Sequence, residues 1–237
     1  MSRIASLCGV LIFNTLLLAG GCASEPADPD PFEPVNRVIF SFNDKLDQVA
    51  LEPVAKAYNR VTPHVVRMGV ENFFSNLNDL TSALNASLQW RLVDAGRNGG
   101  RFLVNSTIGL LGVIDIASQI GIKPYRTDFG VTLSTWGFPS GPYLVVPLFG
   151  PRTVRSGSAS LFDAAASVQW QLDGSTRNAL WVANIIDHRA ELLNAEVLMI
   201  GDHYVFLRSA YLQRRRFLIT GSVGDDFSST DEDWEEW

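Results

Sequence analysis

The sequence predicts a mainly α-helical protein that also contains one short extended or hairpin segment. Two long stretches, 35–88 and 153–219, carry apolar residues three or four positions apart, the spacing of one helical face. Between them, residues 123–152 contain five prolines and four glycines, a composition that favours turns and short extended segments. After residue 21, no apolar stretch is long and uninterrupted enough to cross a membrane as a helix.

The N-terminus predicts a signal peptide over residues 1–21. Arg3 is the only charged residue before Glu25, and a mostly apolar run follows from Ile4 to Leu18. A basic start, a short apolar run and small residues before a cleavage site are typical of secretory signals. We therefore expect residues 1–21 to be removed in the mature protein.

Cys22 is the predicted attachment point for lipid. It follows Gly20-Gly21, and the segment resembles the lipobox that lipoprotein signal peptidase recognises, although Leu18 lies four residues before the cysteine instead of three. Several acyl chains on one cysteine would hold the protein stably on a bilayer. Ala23, in place of an aspartate, favours the outer membrane of a Gram-negative bacterium, on its periplasmic side. The alternative is soluble export with Cys22 as an idle thiol.

Composition divides the rest of the chain into three parts. Residues 22–34 form a Pro- and Asp-rich linker, residues 35–220 a single helical domain, and residues 221–237 an acidic tail predicted to be disordered. The formal net charge of −6 comes from this tail, since seven acidic residues lie in the last thirteen positions. The near-neutral body has no dense basic patch, which argues against nucleic-acid binding.

The first three helices are predicted from apolar spacing and prolines. One begins after Pro34, a second lies between Pro53 and Pro63, and a third follows Pro63, with a possible break at 98–100. The first apolar face consists of Val35, Val38, Ile39, Phe42, Leu46 and Val49. The third helix has Val66, Val70, Phe73, Leu77, Leu80, Leu84 and Leu88. We interpret both faces as ordinary core.

The middle of the chain is unusually apolar. Residues 108–122 are apolar on nearly every side, so a helix there would either be buried or contact lipid. Residues 129–133 are compatible with helix or extended chain, and 143–149 with a short hairpin in which Pro147 limits the strand to an edge. Together these segments suggest contact with a membrane or a partner.

The last third returns to helix. Two pieces are predicted within 153–200 and a final helix over 204–219. Arginines 208, 214, 215 and 216 on the final helix either contact anionic headgroups or pair with carboxylates of the chain itself, and we favour pairing.

Motifs for catalysis or cofactor binding are not evident. The sequence has no Gly-x-Ser-x-Gly, no Walker A motif and no Gly-x-Gly-x-x-Gly. His64, His188 and His203 lack metal-ligand spacing, and we interpret His64 and His188 as surface or capping residues. Accordingly, we predict neither an enzyme nor a cofactor or metal.

Four blocks of sequence resemble the MlaA (VacJ) lipoprotein family. They are Asp30-Pro31-Phe32-Glu33-Pro34-Val35-Asn36-Arg37, Arg101 to Gly109 with Asp115-Ile116-Ala117, Gly141 to Pro151, and Tyr211 to Arg216. The similarity extends over about 28–220. Ser156 departs from the pattern, because the family often has aspartate there, so an ion pair involving that aspartate is in doubt.

The resemblance implies both an architecture and a role. Members of the family are flat, ring-like helical proteins that lie in the inner leaflet of the outer membrane beside a trimeric porin. An amphipathic channel in the ring carries misplaced phospholipid from the outer leaflet to a soluble periplasmic carrier of the MlaC type. An ABC transporter in the inner membrane receives it, and lipid asymmetry is maintained.

For this chain, the resemblance and the apolar segments together suggest specific residues. We expect a lipid-facing surface or channel wall to include Ile108, Leu111, Ile114, Phe138, Tyr143, Leu144, Val146 and Leu148. Gly137 and Gly141 would flank a gating loop. The competing hypotheses are a structural or assembly lipoprotein that binds porin without transport and, less favoured, a lipid hydrolase.

Overall fold

The computed structural model describes residues 30–193, 196, 199 and 201–221. The predicted signal peptide 1–21, Cys22, most of the linker and nearly all of the acidic tail therefore lie outside the described residues. The described residues are mainly helical, with one short hairpin, which confirms the predicted fold class. In the part of the chain that is described, no helix has the length and apolar character needed to cross a membrane.

Nine α-helices and two strands are found among these residues. The helices are α1 (Glu33–Leu46), α2 (Glu52–Val61), α3 (His64–Leu88), α4 (Leu92–Thr107), α5 (Ile116–Gln119), α6 (Phe129–Thr135), α7 (Val154–Ala166), α8 (Gly174–Leu192) and α9 (His203–Thr220). A π-helical turn, Asp47–Leu51, joins α1 to α2, and a 3₁₀ turn, Val168–Gln171, follows α7. The strands β1 (Tyr143–Val146) and β2 (Gly150–Thr153) form an antiparallel hairpin.

Local chemistry accounts for where several helices begin. Side chains of Asp128, Asp173 and Asp202 accept hydrogen bonds from the free N–H groups of α6, α8 and α9. Thr153 and Ser156 form a reciprocal capping box at the start of α7. The Ser156 hydroxyl also lies 2.6 Å from the Tyr211 hydroxyl, so this side chain makes hydrogen bonds and no ion pair.

The structure corrects two sequence-based expectations about helix extent. Asn98-Gly99-Gly100 does not break a helix but lies inside α4, where Asn98 is buried. Residues 108–122 do not form one helix; only Ile116–Gln119 is helical, and turns occupy 108–114. Three consecutive residues, Leu110, Leu111 and Gly112, have positive φ angles of 52°, 59° and 92°, which no continuous right-handed helix accommodates.

The buried faces of the long helices are polar. On α3 the buried side chains include Asn76, Asp79, Ser82 and Asn85, and Gln89 at its C-terminal end is buried as well. The face of α4 that is buried contains Asn98, Arg101 and Asn105. α3 packs along α4; the Arg101–Asp79 ion pair and the hydrogen bond from the Asn76 amide to the Ser106 hydroxyl join the two helices, while most of the other buried polar groups bond to neighbouring segments.

Arg101 lies at the centre of this polar interior. It is 1% exposed, and its guanidinium donates to Asp79 at 2.9 Å, to Asp115 at 3.1 Å and to the Ser118 hydroxyl at 3.0 Å. It also donates to the backbone carbonyl of Ile122. One side chain thereby links α3, α4 and the segment around α5. Hydrogen bonds, mainly with Ser118, lower the pKa of Asp115 to about 2 against the opposing effect of burial.

A second polar network joins α3 to α6 and α7. The Asn85 amide donates to Asp163 at 2.8 Å and accepts from the Thr132 hydroxyl at 2.9 Å. Asp163 also accepts from the backbone N–H of Phe129 at 3.0 Å. Burial nevertheless raises the pKa of Asp163 to about 6, because desolvation disfavours its charged form more than these donors favour it.

Large apolar side chains, by contrast, face outward. The apolar face of α1, interpreted above as core, is exposed: Val38 is 71% and Val49, just beyond the helix, is 80% exposed. On α3, Val66, Leu80 and Leu84 are also exposed. The core interpretation of these faces is therefore wrong. The periodicity located each face correctly, but the polar face is the one that packs inside.

The turns at 108–114 combine exposed apolar side chains with backbone N–H groups that are bonded within the protein. Ile108 is 67%, Leu110 66% and Leu111 72% exposed. Six of the seven backbone N–H groups in this segment nevertheless donate to backbone carbonyls of the protein. Gly112 allows the close approach, since a Cβ there would lie 2.5 Å from the Asn76 amide nitrogen. Such internal satisfaction is what a segment surrounded by hydrocarbon needs.

Replacing Arg101 with alanine should destabilise the protein strongly. Asp79, which is 0% exposed, would lose its main charged partner, and breaking a buried pair in this way costs roughly 3–5 kcal/mol. The matched control is Arg97→Ala, because Arg97 is itself solvent-accessible and its partner Asp94 keeps Arg91, so the loss should be at most about 1 kcal/mol. Thermal unfolding followed by circular dichroism in mild detergent measures both; equal losses in the two variants would contradict the central role of Arg101.

Asp163 predicts a pH dependence of stability. Its folded pKa of about 6 lies above the ordinary value of 3.8, so the folded state binds more protons between these two values. The free energy of unfolding should therefore rise as pH falls from about 6 to about 4, by roughly 2–3 kcal/mol. Asp163→Asn should remove most of this dependence. Denaturant unfolding of both proteins at pH 7 and pH 5 tests it, and parallel pH profiles would refute the assignment.

Candidate functional site

The first block of the sequence motif joins the two ends of the described chain. Asp30, 1% exposed, accepts hydrogen bonds from the Asn36 amide at 2.7 Å, from Arg208 at 3.0 Å and from the Tyr204 hydroxyl. Burial and the neighbouring Asp30 raise the pKa of Tyr204 well above its ordinary value. The residues before α1 are thus fixed to α9, about 170 positions later.

The remaining polar residues of this block extend the same contact. Glu33 lies 2.7 Å from Arg37 and 3.4 Å from Arg208, and Arg37 lies 2.8 Å from Asp202. Pro31 is exposed. These contacts give the motif a structural role: it closes the helical body by linking α1 to α9. Of the arginines on α9, Arg208 and Arg215 pair with carboxylates of the chain, the latter with Asp128.

Two asparagines attach α1 to the free edge of the hairpin. The Asn36 amide donates to the Tyr143 carbonyl at 3.1 Å and accepts from the Val145 N–H at 2.9 Å. Two turns later, Asn43 donates to the Val146 carbonyl at 3.1 Å and accepts from the Leu148 N–H at 2.9 Å. The asparagines therefore satisfy the backbone groups that β2 does not reach, as a third strand would.

Beside this contact lies a cavity of about 310 Å³, formed by α1, the π-helical turn, the hairpin, the end of α8 and the start of α9. We call it the amphipathic cavity. Its apolar lining is Phe40, Tyr143, Val145, Met199 and Leu207. Its polar lining is Asn43, Asp44, Asp47, Gln48, Glu52, Arg189, Glu196 and His203. Gly150 and Pro151 complete the lining.

The apolar part of the amphipathic cavity belongs to a cluster of buried hydrophobic residues. That cluster consists of Tyr143, Val145 and Tyr204, with Ile39, Phe40, Tyr211 and Leu212 against it. The Phe40 and Tyr204 rings meet edge to face with centroids 5.6 Å apart. Burial raises the pKa of Tyr143 to about 12, so its phenol stays neutral and the apolar surface carries no charge from it.

The charged part is organised by Arg189, which is 8% exposed. Its Nε and Nη2 atoms donate to Asp47 at 2.8 and 2.7 Å, and Nη2 also lies 2.6 Å from Glu196. Hydrogen bonds to Asp47 raise the pKa of Arg189, which therefore stays charged. The arginine links α8 to the π-helical turn 142 residues earlier.

A second, smaller cavity of about 160 Å³ lies between α2, α3 and α8. The Tyr58 hydroxyl there donates to Asp187 at 2.8 Å, and burial raises the pKa of Tyr58 to about 12. His64 lines this cavity, whereas His188 is largely exposed beside Glu191. Nowhere in the described residues do three or more acidic, histidine or cysteine side chains gather as a metal would require.

The residues predicted to face lipid fall into separate places. Ile108, Leu111 and Leu148 are 67–72% exposed, and Ile114 and Phe138 about 40%. Leu144 and Val146 are half-buried. Tyr143 differs from the others: it is 2% exposed and lines the amphipathic cavity. Of the residues predicted to face lipid, only Tyr143 therefore lines the amphipathic cavity, and the others are exposed or half-buried.

The predicted gating loop is held at its base. Gly137 and Gly141 have positive φ angles of 89° and 68°, and a Cβ on Gly141 would lie 2.9 Å from the Val154 side chain. Between them, the Phe138 carbonyl accepts from the Arg155 guanidinium at 2.7 Å, and the Ser140 carbonyl accepts from the Arg155 backbone N–H at 3.1 Å. One residue at the start of α7 therefore positions the loop.

Sequence reasoning missed the charged lining of the amphipathic cavity. Asp47, Arg189 and Glu196 carry no local motif, and the first two are far apart in sequence. The one available signal was on α1, where Phe40, Asn43, Asp44, Asp47 and Gln48 recur at helical spacing. The neighbouring apolar face predicts burial more strongly, so the polar face does not stand out in the sequence.

Comparison with known proteins shows the family. The model of the MlaA lipoprotein family matches residues 28–218. A relative from Escherichia coli strain K12, named intermembrane phospholipid transport system lipoprotein MlaA, is 34% identical over 221 residues, which cover 89% of this chain and 88% of the relative. A protein of the same name from Haemophilus influenzae is 33% identical over 80% of this chain and 79% of its own length.

A solved structure agrees with these matches. It comes from work on the structural basis for maintenance of bacterial outer membrane lipid asymmetry. It superimposes with a TM-score of 0.71 at 33% sequence identity, covering 81% of this chain and 99% of the other. Sequence and fold lead to the same assignment, and the chain belongs to the MlaA lipoprotein family.

Proposed function

We propose that this protein removes misplaced phospholipid from the outer leaflet of the outer membrane through an amphipathic channel. The amphipathic cavity is the observation that carries this proposal, because apolar and charged side chains line one space. A phospholipid needs an apolar surface for its tails and a polar environment for its headgroup. The relatives named for intermembrane phospholipid transport support the same function.

The exterior supports a position within the bilayer. Exposed apolar residues occur on α1, on α3 and in the turns at 108–114, while charged residues pair in the interior. Large apolar side chains exposed along several elements favour contact with a membrane or a partner. We therefore place the helical body in the inner leaflet of the outer membrane, anchored through lipid on Cys22 and open to the periplasm.

The transport route requires partners on both sides. We propose that a trimeric outer-membrane porin lies beside the protein, and that a soluble periplasmic carrier of the MlaC type receives the lipid for an ABC transporter in the inner membrane. The sequence has no nucleotide-binding motif, so the protein acts as a passive conduit. The loop flanked by Gly137 and Gly141, with Arg155 at its base, is the proposed gate.

The function is tested in a strain that lacks the gene. Phospholipid should accumulate in the outer leaflet, measured by surface labelling, and sensitivity to detergent and chelator should rise. The wild-type gene should restore asymmetry, and Cys22→Ala should not, because its product would not be processed and carried to the outer membrane. Normal asymmetry with altered porin trimers would favour the structural alternative, and lysophospholipid formed by purified protein would favour a hydrolase.

Cysteine accessibility tests the position in the bilayer. Cysteines introduced at Ile108, Leu111 and Leu148 should react slowly with a membrane-impermeant maleimide in intact outer membranes and readily after solubilisation in denaturant. The matched control is a cysteine at Ser175, which is exposed at the start of α8 in a polar segment. It should react readily in both conditions. Equal labelling at all four positions in intact membranes would contradict the embedded arrangement.

A further inference from the structure

The amphipathic cavity has more carboxylates than cationic groups. The inference drawn from this excess rests on the proposed lipid transport. Four carboxylates line it, those of Asp44, Asp47, Glu52 and Glu196, together with a single guanidinium, that of Arg189. Glu52 also pairs with Lys56, which lies outside the lining, so two negative charges remain in excess. An anionic molecule entering this space meets net repulsion, whereas one that carries its own cationic group meets attraction.

Arg189 leaves one donor without an acceptor. Asp47 and Glu196 engage its Nε and Nη2 atoms, while its Nη1 atom is buried and has no hydrogen-bond partner in the described structure. A buried charged donor left unpaired is costly. An oxyanion that reached the cavity would satisfy this nitrogen through a charge-assisted hydrogen bond.

Asp44 supplies the complementary group. Its carboxylate accepts from the Gln48 amide at 2.8 Å, and it forms no ion pair with a cation of the described chain. It lies one helical turn before Asp47, on the face of α1 that lines the cavity. The cavity therefore contains both a donor for an oxyanion, on Arg189, and an unneutralised carboxylate, on Asp44. Both lie near the apolar side chains of Phe40 and Val145.

We propose that the amphipathic cavity recognises a zwitterionic headgroup in which a phosphate is joined to a primary ammonium, as in phosphatidylethanolamine. The phosphate binds Nη1 of Arg189, after a small rearrangement that uncovers this nitrogen, and the ammonium binds Asp44. A headgroup of net negative charge, such as that of phosphatidylglycerol, is disfavoured by the excess of carboxylates. The adjoining apolar lining identifies a lipid as the source of the headgroup, in preference to a free phosphodiester.

Competition between two lipids tests the proposal. The mature acylated protein in mild detergent is mixed with equal amounts of phosphatidylethanolamine and phosphatidylglycerol that have identical acyl chains. Bound lipid is counted by native mass spectrometry. The wild type should retain the ethanolamine lipid in roughly tenfold excess. Asp44→Asn should reduce the preference several-fold, and Asp44→Lys should reverse it.

Glu71→Gln provides the matched control, because it removes a carboxylate from the second cavity and should leave the preference unchanged. Water-soluble glycerophosphoethanolamine, added at the lipid concentration, should not displace bound lipid; displacement would overturn the assignment to a lipid. Retention of both lipids in equal amounts by the wild type, or an unchanged preference in both Asp44 variants, would overturn the headgroup assignment.

The outcomes also separate this inference from the proposed function. If the wild-type protein retains both lipids equally, transport still stands and only headgroup recognition fails. If it retains no phospholipid at all, the proposed transport function fails as well. Unfolding temperatures of the Asp44 variants should match the wild type within a few degrees, because Asp44 makes only a hydrogen bond to an exposed glutamine.

Discussion

The structure depends on hydrogen bonds and ion pairs that buried polar groups form within the protein itself. Arg101 is the clearest case, since its guanidinium is 1% exposed and reaches Asp79, Asp115, Ser118 and a backbone carbonyl. Water cannot replace these partners if the surroundings are hydrocarbon. The long helices therefore turn their amides and charges inward, and their apolar faces remain outside.

The same principle connects the fold to the amphipathic cavity. Asp30, Tyr204 and Arg208 bring the first and last helices together, and the amides of Asn36 and Asn43 bond to the free edge of β1. These polar contacts fix the boundary of a space whose lining is partly apolar and partly charged. A cavity of this kind, next to an apolar exterior, offers a phospholipid both of its preferred environments in one protein.

The sequence predicted the elements better than it predicted their orientation. Pro34, Pro53 and Pro63 marked helix starts, and the prolines and glycines of 123–152 indicated the hairpin. Apolar spacing on α1 and α3 identifies a face but not what covers that face. The apolar faces were therefore predicted to be core, although they lie on the exterior. The ion pair of Arg189 with Asp47 could not be predicted from the sequence, because only tertiary folding brings these two residues together.

The central claim is that phospholipid enters the amphipathic cavity, and photocrosslinking in living cells tests it most directly. Cells would incorporate a fatty acid with a photoreactive group near its terminus, and lipid adducts on the purified protein would be mapped by mass spectrometry. The account predicts adducts on Leu207 and Met199 in the cavity as well as on exposed residues such as Leu111. Adducts confined to the exposed apolar residues would contradict it, because the lipid would then surround the protein without passing through it.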